Sequence, residues 1–176
     1  MFKSWKEHGW YRVPCTRLRI EKLVAMVNGK GKNVLEAGCN EGFLSMALIE
    51  DGCKVTSLDY DINWVKRAKE VFGIEAIHAD INALPFEDES FDIAVGGEVL
   101  EHLDNPIIGF KELFRVAKEK IVISLPVGAY WLGQKTHKWK IEGCSVDHDT
   151  AQLHLLKKDL IILEFTKREY CGLKED

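Results

Sequence analysis

The chain has 176 residues, 46% hydrophobic and 30% charged, with 24 basic against 28 acidic side chains and a formal net charge of −4. This length points to one domain with room for a sizeable core, in an ordinary globular composition. The negative balance excludes a global attraction to nucleic acid or to an anionic membrane, leaving only local patches, and no apolar run reaches the roughly 18 residues of a membrane span.

The opening "MFKSWKEHGWYRVP" lacks the apolar core of a signal peptide. Its Phe2, Trp5, Trp10 and Tyr11 form a cluster suited to core or lid packing. Apolar residues at 20, 23, 24 and 27 predict a helix over Arg17 to Val27. "NVLEAG" (33–38) reads as a buried strand, and Glu41–Asp51 as a helix. "KVTSLD" (54–59) is a second strand, Ile62–Phe72 a second helix, and "IEAIHA" (74–79) a short third strand. "FDIAVGG" (91–97) is a fourth strand, Asn105–Ala117 a helix with Pro106 in its first turn, and "KIVISLP" (120–126) a fifth strand. After Pro126 the pattern weakens into loop, with a short helical turn at "KKD" running into a last strand near 160–170. Strands alternating with helices predict an α/β three-layer sandwich with a mostly parallel sheet. The C-terminal end reads as abbreviated. The expectation is a single domain over 1–176, with a helical or lid segment at 1–30, a core at 31–126 and a short region at 127–176.

Five cysteines, at 15, 39, 53, 144 and 171, contain no C-x-x-C pair. They predict a reducing, cytoplasmic setting rather than a disulfide framework or zinc site.

In open parallel sheets, ligands bind beyond the carboxyl ends of the strands. The stretch "VLEAGCNEGF" (34–43) lies there. The dinucleotide spacing G-x-G-x-x-G, counted from Gly38, requires glycine at 40 and 43, where Asn40 and Phe43 stand. The shorter E-x-G-x-G-x-G spacing fits Glu36, Gly38 and Gly42, with Asn40 at the middle position. Asparagine is among the few residues that adopt positive φ at modest cost. Asp59 closes the second strand, where an acid can accept both hydroxyls of a ribose. Asp80 follows the third, where a carboxylate can take an adenine amine and Ile81 can pack on the ring. Read alone, each acid is an exposed loop charge. Three acids and a glycine turn at successive strand ends are a different matter.

Residues 33–125 resemble a class I S-adenosylmethionine-dependent methyltransferase, through "VLEAGCNEGF", "VTSLDYD" and "ADINALPFEDESFD". The resemblance implies a Rossmann-like fold that binds S-adenosyl-L-methionine. It places Glu36 and the Gly38–Cys39–Asn40–Gly42 loop at the methionine portion, with Gly97 close by. The ribose falls to Asp59, and the adenine to Tyr60 and the Asp80–Ile81 segment.

Methyl transfer rests on alignment, with a base needed only where the acceptor must lose a proton. Titratable groups cluster in "GGEVLEHLDNP", past the fourth strand. His102 there, and His137 in "THKWKI", are the candidate catalytic residues because histidine titrates near neutrality. A small-molecule acceptor is expected. Glu98, Glu101, His102 and His137 also resemble the metal tetrad of terminal-ribose 2′-O-methyltransferases of RNA. Lys135, Lys138 and Lys140 would give that reading a basic strip, while the net negative charge disfavours it. A cofactor-binding module completed by a partner chain is a third reading, motivated by the short C-terminal region. No bound metal is expected, and the oligomeric state is not legible.

Overall fold

The computed structural model describes residues 4–7, 9–126, 151–157 and 160–166. Helix α1 spans Pro14–Val27, α2 Phe43–Glu50, α3 Ile62–Phe72 and α4 Pro106–Val116. The strands are β1 (Asn33–Ala37), β2 (Lys54–Asp59), β3 (Ile77–His78), β4 (Phe91–Gly97), β5 (Ala117–Pro126), β6 (Ala151–Lys157) and β7 (Leu160–Thr166). They form one sheet in the order β3-β2-β1-β4-β5-β7-β6. β1 to β5 run parallel, and β7 pairs antiparallel with both β5 and β6. The chain steps outward from β1 to β2 and β3, then returns to place β4 on the other side of β1. That reversal opens a crevice at the strands' carboxyl ends.

Successive strand residues face opposite sides, so each strand feeds two cores. Val34, Ile93, Val95 and Val122 pack under α1 and α2 with Ile20, Leu23 and Leu48. Leu35, Ala37, Ala94, Ile121 and Ile123 pack against Leu113 and Val116 of α4. Trp5 belongs to the first core: it is 3% exposed, its ring is edge-on to Tyr11 at 4.9 Å, and its backbone N–H donates to Glu50 Oε1. Of the four N-terminal aromatics, Trp5 thus serves packing.

The element boundaries shift for local reasons. α1 starts earlier, on Pro14. α2 starts at Phe43 because Asn40 and Gly42 are left-handed (φ 51° and 88°) and cannot continue a helix. β3 keeps only two of its six predicted residues. Gly73 ends α3 in a left-handed cap (φ 72°), and Ile74 N–H bonds back to Ala68 O, so Ile74 belongs to the helix end and the core. β5 follows α4 without a linker, because Ala117 is already extended and pairs with Phe91. Of the helical turn read at "KKD", Lys157 instead ends β6, and Lys158 and Asp159 lie outside the described residues; Leu160 begins β7, which pairs with β6 to complete a seven-stranded sheet.

Candidate active site

β1 ends at Ala37, and the chain turns through Gly38 (φ 80°), Asn40 and Gly42 into α2. The Gly38 and Cys39 N–H groups both donate to Leu58 O at 2.9 Å, tying the loop to β2. Asn40 tolerates its left-handed backbone as expected, and its Oδ1 accepts from Glu41 N–H at 2.7 Å. Gly38 has no alternative: a Cβ there would lie 2.7 Å from Val99.

Asp59 organises this loop from the end of β2. It is 8% exposed; Oδ2 accepts from Asn40 N–H at 2.8 Å and Oδ1 from Asp61 N–H at 2.9 Å. A carboxylate has about four acceptor sites, so both oxygens keep capacity for ribose hydroxyls. Tyr60, next along, is 72% exposed, and its carbonyl lies 2.8 Å from His78 Nε2. Asp80 caps the short turn Ile81–Ala83, with Oδ1 accepting from Asn82 N–H and Nδ2 at 2.8 and 3.0 Å. Ile81 is buried beneath it.

Glu36 sits within the fold, on the face of β1 that α2 covers. Ser45 Oγ of α2 donates to its Oε2, Ser57 Oγ of β2 donates to Ser45 Oγ at 2.8 Å, and Ser57 Oγ also lies 3.5 Å from Glu36 Oε2. Burial pushes this carboxyl up to about 8, against the opposing pull of the serines. The Cys39 thiol is driven far above its usual range by burial and by the nearby Glu36 and Asp59. It is therefore no nucleophile.

Beyond Gly97, whose strand partner is Ser124, the chain makes a tight turn. Glu98 is left-handed (φ 54°), donates its N–H to Ser124 O at 3.0 Å, and pairs with Arg19 of α1. A short turn, Leu100–His102, carries the remaining groups. Glu101 is 1% exposed, and its Oε2 has no hydrogen-bond partner among the described residues. Burial raises this carboxyl to about 7, moderated by its own backbone N–H and by Arg19. His102 is about half exposed, with Nε2 3.9 Å from Glu101 Oε1. His137 and the lysine strip lie outside the described residues. Among the described residues no three His, Cys, Asp or Glu side chains are grouped as a metal site.

Sequence reasoning missed one element. Glu112 and Arg115 of α4 clamp the loop after Asp80. Arg115 donates to Leu84 O at 3.1 Å, Phe86 O at 2.8 Å and Asp88 at 2.8 Å, while Leu84 N–H donates to Glu112 at 2.8 Å. The signal was an acid three residues before an arginine on a helix, commonly a solvated surface pair.

These residues fit a nucleoside ligand. An acid with spare acceptor capacity ends β2, a second acid follows β3, and a left-handed loop joins β1 to α2 at the sheet's reversal point. The family described as "Methyltransferase domain" matches residues 35–123. The chain belongs to this family. Membership implies S-adenosyl-L-methionine as the cofactor of this methyltransferase domain. It is 34% identical over 89 residues to a Mycolicibacterium smegmatis protein named "Probable S-adenosylmethionine-dependent methyltransferase", covering 50% of this chain and 35% of that one. It is 33% identical over 94 residues to the "Ubiquinone biosynthesis O-methyltransferase" of Coxiella burnetii, covering 51% and 40%. The methyltransferase domain thus spans well under half the length of these curated relatives. The fold also matches the PH0226 protein of Pyrococcus horikoshii, with a TM-score of 0.73, 18% identity, and 94% and 99% of the two chains covered.

Proposed function

We propose that this protein transfers the methyl group of S-adenosyl-L-methionine to a hydroxyl of a small-molecule acceptor. The observation that carries the reading is Asp59: a buried carboxylate at the end of β2 that holds the glycine loop and keeps acceptor capacity for a ribose. Around it, Glu36, Gly38, Cys39, Asn40, Gly42, Tyr60, Asp80, Ile81 and Gly97 would form the cofactor's surroundings. Bound there, the cofactor supplies a methyl group on a sulfonium that needs no further activation. The chain's own residues then have two tasks: holding the acceptor in line, and moving the proton its hydroxyl gives up. His102 sits at the sheet's carboxyl edge with its ring open to solvent, and we assign it the proton; His137 is the second candidate. The Coxiella relative, named for O-methyl transfer in ubiquinone biosynthesis, supports a small acceptor. No helix among the described residues is long and apolar enough to cross a membrane. Cys39 and Cys53 are free and buried, which agrees with a cytoplasmic setting.

Calorimetric titration with S-adenosylhomocysteine and with NAD tests the cofactor assignment. Binding of the former alone is expected, and the reverse would overturn it. Transfer of labelled methyl to a panel of hydroxylated aromatics then tests the reaction.

A further inference from the structure

The parallel ladder between β2 and β3 ends at Asp59. Leu58 pairs with Ile77 and Asp59 with His78, and Ala79 N–H donates to Asp59 O at 3.1 Å. The next carbonyl, that of Tyr60, lies past the ladder. Among the described residues its partner is the His78 ring, with Nε2 2.8 Å away. A carbonyl oxygen can only accept, so the ring carries a proton on Nε2. The side chain of the last β3 residue thus supplies a hydrogen bond that the strand's backbone no longer reaches.

Tyr60 depends on that bond more than its neighbours do. Asp59 is fixed by its two amide contacts, and Asp61 caps α3 through Asn63 N–H at 2.8 Å. Between these anchors the Tyr60 side chain is 72% exposed and has little packing to hold it. The rotamers open to such a ring follow its backbone angles, so whatever fixes the Tyr60 peptide also aims the ring. An exposed histidine on an edge strand is ordinarily a solvated group. This one is turned onto a single backbone oxygen, between the acid that ends β2 and Asp80 two residues further on.

We infer that His78 is a positioning residue: its Nε2–H holds the Tyr60 peptide so that the Tyr60 ring is set against the adenine of the bound cofactor. The inference rests on the proposed cofactor site and adds a residue to it. His78 acts on the base through Tyr60, while the ribose stays with Asp59.

The test is the calorimetric Kd of S-adenosylhomocysteine for the full chain. It is measured on wild type, His78→Ala, His78→Gln, His78→Asn, Tyr60→Ala and the Tyr60→Ala, His78→Ala double variant. His78→Ala should weaken binding by about three- to tenfold, the scale of one neutral hydrogen bond. Glutamine carries an amide N–H as many bonds from Cα as the histidine Nε2, so His78→Gln should bind within about twofold of wild type. The asparagine amide is too short to reach, and His78→Asn should be as weak as His78→Ala. In the Tyr60→Ala background, His78→Ala should change nothing further, because the ring it positions is gone. His78 is exposed, so Tm should stay near that of wild type in all three single variants. Should His78→Ala nevertheless misfold, the comparison of glutamine with asparagine still decides. An unchanged Kd in His78→Ala, or glutamine as weak as alanine, would overturn the inference. So would additive losses in the double variant, which would mean that His78 acts through Asp59 or the fold and not through Tyr60. Failure of the wild type to bind S-adenosylhomocysteine would instead remove the proposed function, and this inference with it.

Discussion

Val99 fills the space that a side chain on Gly38 would need, its Cγ2 2.7 Å from where the Cβ would sit. Gly38 belongs to the loop after β1 and Val99 to the turn after β4, so the two loops that frame the crevice interlock at this point. Gly38→Ala should therefore cost about 1–2 kcal/mol for its left-handed backbone and roughly 1–3 more for overpacking. Val99 Cβ itself lies 2.9 Å from that position, so adding Val99→Ala should recover only a fraction of the packing part, whereas Val99→Gly should remove the clash and leave the backbone part. Urea denaturation of the single variants and both double variants separates them.

Asp59→Ala removes the acceptor for two backbone N–H groups as well as the proposed ribose contact. Affinity for S-adenosylhomocysteine should fall by about 1.5–3 kcal/mol, the range for hydrogen bonds to a charged group. Unchanged affinity by calorimetry would show that the ribose lies elsewhere.

Stability should decline as pH rises through the range set by Glu36. Its carboxyl is raised from 4.5 to about 8 in the fold. Between those values the folded chain keeps a proton that the unfolded chain has released, so each added pH unit costs up to roughly 1.4 kcal/mol. The loss levels off above the folded value. Glu101 contributes with the same sign over its own range. Glu36→Gln should reduce the slope without reversing it, as read from denaturant midpoints across the window.

Arg115→Lys keeps a positive charge but loses the planar fork that reaches Leu84 O, Phe86 O, Asp88 and Glu112 at once. A loss of about 2 kcal/mol is expected. Amide exchange should accelerate in the loop between Asp80 and Phe91 before it does elsewhere. Uniform acceleration would mean that the clamp supports the whole domain and not this loop.

The core elements were legible because their signals are local. β1, β2, β4 and β5 are short apolar runs bounded by turn residues, and Asp61, Gly73 and Asn105 sit at α3 and α4 boundaries where such residues belong. β3 was over-read because Ile74 looks like a strand residue and is recruited by the preceding helix cap. β6 was not read at all, although Gln152, Leu153, His154 and Leu155 alternate polar and apolar; its pairing with β7 is a tertiary relation that four residues signal only weakly. Within the site, the acids at strand ends were visible from spacing. The inward turn of Glu36 toward Ser45 and Ser57 was not, since it depends on α2 crossing β1 and β2. Nor was the isolation of Glu101 Oε2, which depends on what fails to reach it.

Asp59 ties the end of β2 to the loop after β1 through the backbone amide of Asn40, while its other oxygen holds the Asp61 amide on its own side. The conformational entropy of shaping the loop is therefore lost during folding, and an incoming ligand meets a receptor that is already rigid at this point. Anyone grafting the "AGCNEGF" loop onto another parallel sheet would need to carry an acid on the neighbouring strand with it. Without that acid the glycines would supply freedom but no shape. The transferable part is a contact between the loop and the end of the neighbouring strand, and a loop sequence moved by itself leaves half of it behind.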